Sequence, residues 1–215
     1  MTNPRADESA DRQLMARLLR GDEHALEELL QDQWDALVDY AASLLGSLDD
    51  AQDVVQDAFV RFWNRRRAWQ PGSTARPILF RIVRNLALDQ RRGAEVRAKW
   101  AASTALRQTV EPPVGAGALE EQELRAAIDL ALQNLGERQR EVVVLSRFHG
   151  LSRQQVTEVT GLAPGTVSNL LSDAMSRLCQ ELAPYLEAAP PLARRRVVLR
   201  KIQGAGCRPP LRPPK

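Results

Sequence analysis

Residues 151–171 read LSRQQVTEVTGLAPGTVSNLL, and the order of residue types here decides the fold class. Ser152 stands where a helix cap belongs. Gln155, three residues on, completes a capping box in which each side chain accepts from the other residue's backbone amide. Val156 and Val159 fall on one face of the short helix that follows. Gly161 permits a tight turn, Pro164 suits the first turn of a second helix, and Val167 and Leu171 give that helix a buried face. Cap, short helix, glycine and second helix together spell a helix–turn–helix, with an ordinary helical hairpin as the plainer reading.

Such a motif presents the start of its second helix to a DNA major groove. The residues so placed are Pro164, Gly165, Thr166, Ser168 and Asn169, with Ser172 and Asp173 further along and no base before Arg177. Ser, Thr and Asn reach bases and phosphates without help from charge. Arg147 and Arg153 are the nearby cations suited to backbone contacts.

Working outward, helical patterning runs from Leu119 to Tyr185 as a second, smaller domain. The stretch before it, 101–119, contains Pro112-Pro113 and Gly115-Ala116-Gly117 and reads as a linker. Upstream, residues 10–93 form a block of four helical segments. Leu14 and Leu18 mark the first, from Asp11 to Arg20, which Gly21 ends. Leu26, Leu29, Leu30, Leu37, Ala41 and Leu44 mark the second, from Asp22 to about Leu45. The third begins at Asp49 or Asp50 as cap and runs to about Ala68. The fourth runs from Pro77 to Arg92, with Gly93 at its end. No stretch alternates like a strand, so the expected class is all-α. The tail, 190–215, holds six prolines and eight bases with no acid, and is expected to have no fold of its own.

Charge is segmented along the chain. The total is +3 over 215 residues, yet residues 11–60 carry twelve acids and three bases, and residues 61–93 carry nine bases and one acid. On the third segment Ala51, Val55, Ala58, Phe59, Phe62 and Trp63 form an apolar stripe. Asp49, Asp53, Gln56, Asp57 and Val60 lie opposite. An apolar residue rimmed by carboxylates suits a basic helical protein partner. The fourth segment sorts the other way. Leu79, Ile82, Val83 and Leu86 face inward, while Arg81, Arg84, Asn85, Leu88 and Arg92 gather outside. Arg65, Arg66, Arg67 and Trp69 precede it. Guanidinium forks match phosphates, Asn reads base edges, and Arg beside aromatic residues suits stacking on unpaired bases. Two solvated helix surfaces are the plainer reading of both segments.

Other classes find little material. Two histidines, His24 and His149, and two cysteines, Cys179 and Cys207, with no CxxC pairing, argue against a metal centre, a redox motif or a disulfide scaffold. No Gly-rich phosphate loop and no triad is present, so the expectation is a binding protein, with no cofactor and no catalytic residue. The polar N-terminus is no secretory signal and no run reaches the length of a membrane span. A cytoplasmic protein without membrane contact is expected.

Three stretches together carry a family likeness. They are DAQDVVQDAFVRFW at 50–63, ILFRIVRNLALDQRR at 78–92, and LGERQREVVVLSRFHGLSRQQVTEVTGLAPGTVSNLLSDAMSRL at 135–178. In this order and spacing the chain resembles the extracytoplasmic-function (ECF) branch of the bacterial sigma-70 family, over about residues 10–93 and 120–183. The resemblance implies two helical domains joined by a flexible linker. Residues 10–93 would be the region 2 bundle, 94–119 the linker, 120–187 the region 4 helix–turn–helix and 188–215 a basic tail.

It also implies a transcription initiation factor whose partners are core RNA polymerase and promoter DNA, with an anti-sigma factor as a further candidate. Asp53, Gln56, Asp57 and Phe59 match the motif that docks on the clamp helices of the largest catalytic subunit. Arg84, Asn85, Asp89 and Arg92 match the helix that meets the minus-ten element as single strands. Residues 151–170 match the motif that reads the minus-thirty-five element as duplex. The chain departs from the pattern at Ile78, where relatives usually carry Trp, at Gly136 for Pro, and at Ala163 for a capping Ser. A decoy that binds polymerase without initiating and a stand-alone helix–turn–helix regulator remain open at this point.

Overall fold

The computed structural model describes residues 4–70, 73–101 and 119–183, with side chains described over 11–70, 73–94 and 126–183. The secondary structure among these is helical throughout: α1 (Pro4–Leu19), α2 (Glu23–Leu45), α3 (Leu48–Asn64), α4 (Ala75–Ala101), α5 (Leu119–Gln133), α6 (Glu137–Val143), α7 (Arg153–Thr160) and α8 (Pro164–Glu181). A 3-10 turn follows α3 at Arg66–Ala68, and a π-turn extends α6 over Val144–Phe148. The chain parts into two compact units, mainly between residues 112 and 113. The linker over 102–118 and the basic tail from 184 onward lie outside the described residues.

The first unit packs α2, α3 and α4 against one another, with α1 against α2 and α4. Leucines and aromatics recurring every three or four residues give each helix one apolar side. The shared interior holds Leu18, Leu29, Leu37, Tyr40, Val55, Phe62, Leu79, Phe80 and Val83. The Tyr40 and Phe80 rings meet tilted, 5.3 Å between centroids. Asp22 caps α2, accepting from the Ala25 amide at 3.3 Å, and is itself held by Arg17 Nε at 2.8 Å. Gly46, at φ +74°, closes that helix in the left-handed conformation glycine adopts without strain.

Several boundaries differ from the sequence reading. α1 begins at Pro4 rather than Asp11. α3 is capped by Ser47, whose hydroxyl accepts from the Asp50 amide at 3.3 Å, so Asp49 and Asp50 fall inside the first turn, where acids suit the helix dipole. α3 ends at Asn64 because the backbone tightens into the 3-10 turn, and does not reach Ala68. α4 starts at Ala75 and passes through Gly93 to Ala101. Gly93 is not among the glycines with positive φ, and a glycine in helical geometry weakens a helix without ending it. The start of α4 is capped from elsewhere, by Asp11 of α1, which accepts from the Ala75 amide at 3.3 Å.

In the second unit α6 packs on α8, and α5 also meets α8. Val142, Val143, Leu145, Val167, Leu171, Ala174 and Leu178 are buried. The capping box forms as the sequence predicts. Ser152 Oγ accepts from the Gln155 amide at 3.2 Å, and Gln155 Oε1 accepts from the Ser152 amide at 2.9 Å. Gly161 turns at φ +71° and Pro164 opens α8 after an Ala163 cap that offers no side-chain hydrogen bond. Cys179 lies half-buried on α8. Cys207 lies outside the described residues.

Candidate functional site

Two exposed surfaces of the first unit carry opposite charge. On α3, Asp49, Asp53, Gln56, Asp57 and Val60 are all exposed, and Val60 shows 59% of its surface. Phe59, which the motif match groups with them, is buried instead. Its ring lies 6.4 Å from that of half-buried Trp34 on α2, nearly parallel, so it holds α3 to α2.

On α4, Arg81, Asn85, Asp89 and Arg92 are exposed, while Arg84 and Leu88 are half-buried. Arg92 Nη1 donates to Asp89 Oδ1 at 3.3 Å, one turn back, so the two residues act as a pair. The two helices are tied at one end, where Gln90 Nε2 donates to Asp50 Oδ1 at 2.9 Å.

The arginine run before α4 does not act as one cluster. Arg66 lies over the Trp63 ring at 4.2 Å and donates to the Trp63 carbonyl at 2.9 Å. Arg65 and Arg67 are exposed. Trp69, read from sequence as a stacking platform for bases, stacks on Phe62 at 6.0 Å and donates from Nε1 to the Phe62 carbonyl at 3.4 Å. One of its faces is thus taken by the protein. Sequence spacing gives no hint of this, because the contact depends on the 3-10 turn that brings Trp69 back onto the end of α3.

In the second unit Pro164, Gly165, Thr166 and Asn169 are exposed at the start of α8, Ser168 is half-buried, and Arg153 is exposed at the start of α7. Arg147 is half-buried in the π-turn, where its pKa is pushed down, by burial first and by the charge of Arg153 second. The π-turn has no warning in the sequence VLSRF, whose residue types fit an α-helix equally well.

Among the described residues no group of His, Cys, Asp and Glu is arranged to hold a metal ion. No helix among them is long and apolar enough to cross a membrane. A helical bundle with an acidic and a basic face, followed by a helix–turn–helix unit, defines a DNA-binding protein that also docks on protein. Comparison with known proteins makes this specific. Residues 35–96 match the family model for sigma-70 region 2, and residues 125–178 match that for sigma-70, region 4.

The chain is 30% identical over 188 residues to the RNA polymerase sigma factor NccH of Alcaligenes xylosoxydans xylosoxydans, covering 83% of this chain and 95% of that one. It is 34% identical over 165 residues to the ECF RNA polymerase sigma factor SigL of Mycobacterium tuberculosis, covering 73% and 88%. Among solved structures it resembles the sigma factor RpoE in complex with the anti-sigma factor NepR from Bartonella quintana. There the TM-score is 0.60 and the identity 27%, over 73% of this chain and 96% of that one. The chain belongs to the sigma-70 family, in its ECF subfamily. It is a transcription initiation factor whose partners are core RNA polymerase and promoter DNA.

Proposed function

We propose that the two units divide this work. The region 2 unit, residues 10–93, docks on the clamp helices of the largest polymerase subunit through Asp53, Gln56, Asp57 and Val60, with Phe59 as support. The same unit holds the separated minus-ten strands through Arg81, Arg84, Asn85, Asp89 and Arg92. The region 4 unit, residues 120–187, meets duplex at minus-thirty-five through Arg153 and the residues from Pro164 to Asn169. The chemistry of transcription belongs to the polymerase, and this chain supplies binding alone, in the cytoplasm. An anti-sigma factor is a further partner in this reading, which draws support from the solved relative bound to one.

One observation carries the division. The acidic residues of α3 and most of the basic face of α4 stand exposed on a single small bundle, on separate helices. A carboxylate surface draws a basic protein and repels DNA, and a guanidinium surface does the reverse. The test is reconstitution. Core polymerase with and without the full chain is given genomic DNA, and initiated transcripts are mapped by run-off sequencing and footprinting. New start sites with a shared minus-ten sequence are the expected result. Core binding without any new start site would make the chain a decoy and overturn the reading.

A further inference from the structure

Between Arg20 and Arg61 the chain holds eleven acids and no Lys or Arg. The acids of α3 are only part of this. On α2, Glu27, Leu30, Gln31, Trp34 and Asp35 stand three or four residues apart and so share a face. Leu30 leaves 39% of its surface exposed and Trp34 is half-buried, with Glu27, Gln31 and Asp35 exposed around them. Trp34 stacks on Phe59, which sets this face beside α3, where Val60 and further exposed acids follow. Asp35, Asp53 and Asp57 form no ion pair among the described residues. Apolar side chains rimmed by such carboxylates suit a partner that is both basic and apolar.

The chain carries a segment of that kind itself. Residues 192–202 read LARRRVVLRKI, five bases and no acid, with Leu192, Val197, Val198, Leu199 and Ile202 among them. Basic runs often serve as interaction tails. Phosphates would satisfy the bases alone and leave the apolar residues without a partner, whereas the α2 face answers both. Residues 184–191 separate the segment from the described part of the second unit, and 102–118 lie between α4 and α5. Fully extended, these two stretches span about 28 and 58 Å. Tethers of such length hold a segment at a local concentration on the order of millimolar.

We propose that residues 192–202 dock on the face of α2 formed by Glu27, Leu30, Trp34 and Asp35, and there obstruct the approach of core polymerase to the adjoining acidic face of α3. The obstruction rests on the reading of α3 as the polymerase-docking surface; the docking of the segment does not.

The test uses the full chain with Cys179→Ser, which leaves Cys207, five residues beyond the segment, as the one thiol to carry a nitroxide label. Broadening of backbone amide signals in NMR reads which residues lie near the label. It should centre on residues 27–35 and be lost when Glu27→Lys and Asp35→Lys are combined, with circular dichroism unchanged. In the unlabelled full chain, Arg194→Gln, Arg195→Gln and Arg196→Gln together should raise affinity for core polymerase about threefold or more, the factor for a face covered two-thirds of the time.

Broadening that is absent from α2, or that survives the two Lys substitutions, overturns the proposal. So does unchanged core affinity in the triple Gln variant, which shows that the segment obstructs nothing. A smaller salt dependence of promoter binding in that variant, without broadening on α2, assigns the tail to DNA phosphates and also overturns it. If Asp53→Arg binds core polymerase as wild type does, the reading of α3 fails and the obstruction falls with it, while the broadening still decides by itself whether the segment docks.

Discussion

Gln90 Nε2 donates to Asp50 Oδ1 at 2.9 Å, joining the basic helix α4 to the first turn of the acidic helix α3 across 40 residues of sequence. Both faces therefore rest on one rigid frame, and a hydrogen bond between exposed side chains is part of what fixes their spacing. Net, such a bond stabilises by about 0.5–1.5 kcal/mol. Gln90→Ala and Asp50→Ala should each lower stability by no more than this, and the double variant should lose less than the two together. Urea unfolding of the four proteins checks it; strictly additive losses would mean that the two groups do not interact.

Phe59 and Val60 are adjacent in sequence and opposite in role. Phe59 is buried against Trp34, whereas Val60 is exposed among carboxylates. Phe59→Ala should cost about 3–5 kcal/mol of stability, the usual range for emptying a core aromatic site. Val60→Ala and Asp53→Arg should leave unfolding within about 0.5 kcal/mol of wild type, as exposed changes do. Asp53→Arg should nonetheless weaken core polymerase binding about tenfold or more, since it sets like charge against a basic partner. Circular dichroism and a core-binding titration separate the two effects. An Asp53→Arg protein that binds core normally removes the acidic face from the docking surface.

The contrast shows what the sequence could and could not say. Periodicity placed the acidic residues of α3 outside and Phe62, Val55 and Ala58 inside, because a 3.6-residue repeat fixes which positions share a face. It placed Phe59 on the same inner stripe, where the residue is buried; the motif match grouped Phe59 with the docking residues because such a match records which residues recur and not which atoms they touch. Likewise the capping box at Ser152 and Gln155 was legible because its bonds are local, three residues apart. The cap of α4 was not, because its acceptor sits 64 residues away on α1. The stacking of Arg66 on Trp63 and of Trp69 on Phe62 was hidden for a different reason, since these partners are near in sequence and meet only because of the 3-10 turn between them. They depend on where the chain folds back at the end of α3.

On α4 the expected result concerns steps rather than stability. Arg92 is exposed and held by Asp89 at 3.3 Å, with both side chains largely open to solvent, so the pair is weak and easily opened by a phosphate. Arg84→Ala with Arg92→Ala should reduce open-complex formation more than core binding. Permanganate footprinting of the melted strands, beside the core-binding titration, measures the two. Equal melting by wild type and double variant would remove these residues from the minus-ten surface.

Asp11 carries a pH dependence that can be given a sign. Its carboxylate accepts from the Ala75 amide, yet burial outweighs that hydrogen bond and the nearby Arg76, and its pKa is raised above 3.8. A carboxyl whose folded pKa lies above its unfolded one takes up a proton on folding. Its contribution to stability is therefore greatest in acid and declines as pH rises through the window above 3.8. Asp11→Asn keeps an acceptor for the cap and removes the charge. It should match or exceed wild type at neutral pH, by a margin that shrinks on acidification. Asp11→Ala, without any cap, should lose about 1 kcal/mol. Urea titrations of the three proteins at neutral and acid pH test this; a margin that grows in acid would reverse the assignment.

Arg140 closes α5 in the way Asp11 opens α4. Its Nε donates to the Leu132 carbonyl at 2.8 Å, and one Nη donates to the carbonyls of Gln133 at 2.8 Å and Leu135 at 3.1 Å. The last carbonyls of a helix have no partner within it, and a cation there also suits the negative end of the helix dipole. One guanidinium answers both needs, so Arg140 is a structural residue although it lies in the unit proposed to bind duplex DNA. Arg140→Met keeps the apolar stem and removes the donors, and should cost about 1.5–3 kcal/mol, the range for hydrogen bonds to a charged group. Arg140→Lys should fall between it and wild type, because an ammonium keeps the charge and loses the fork. The loss should be confined to the second unit, and the chain carries its own reporter for this. All four tryptophans, Trp34, Trp63, Trp69 and Trp100, precede residue 112. Tryptophan fluorescence therefore follows the first unit alone, whereas circular dichroism follows both. In Arg140→Met the helical signal should begin to melt earlier while the tryptophan transition stays in place. Movement of both together would show that the two units unfold as one and that Arg140 stabilises more than the end of α5.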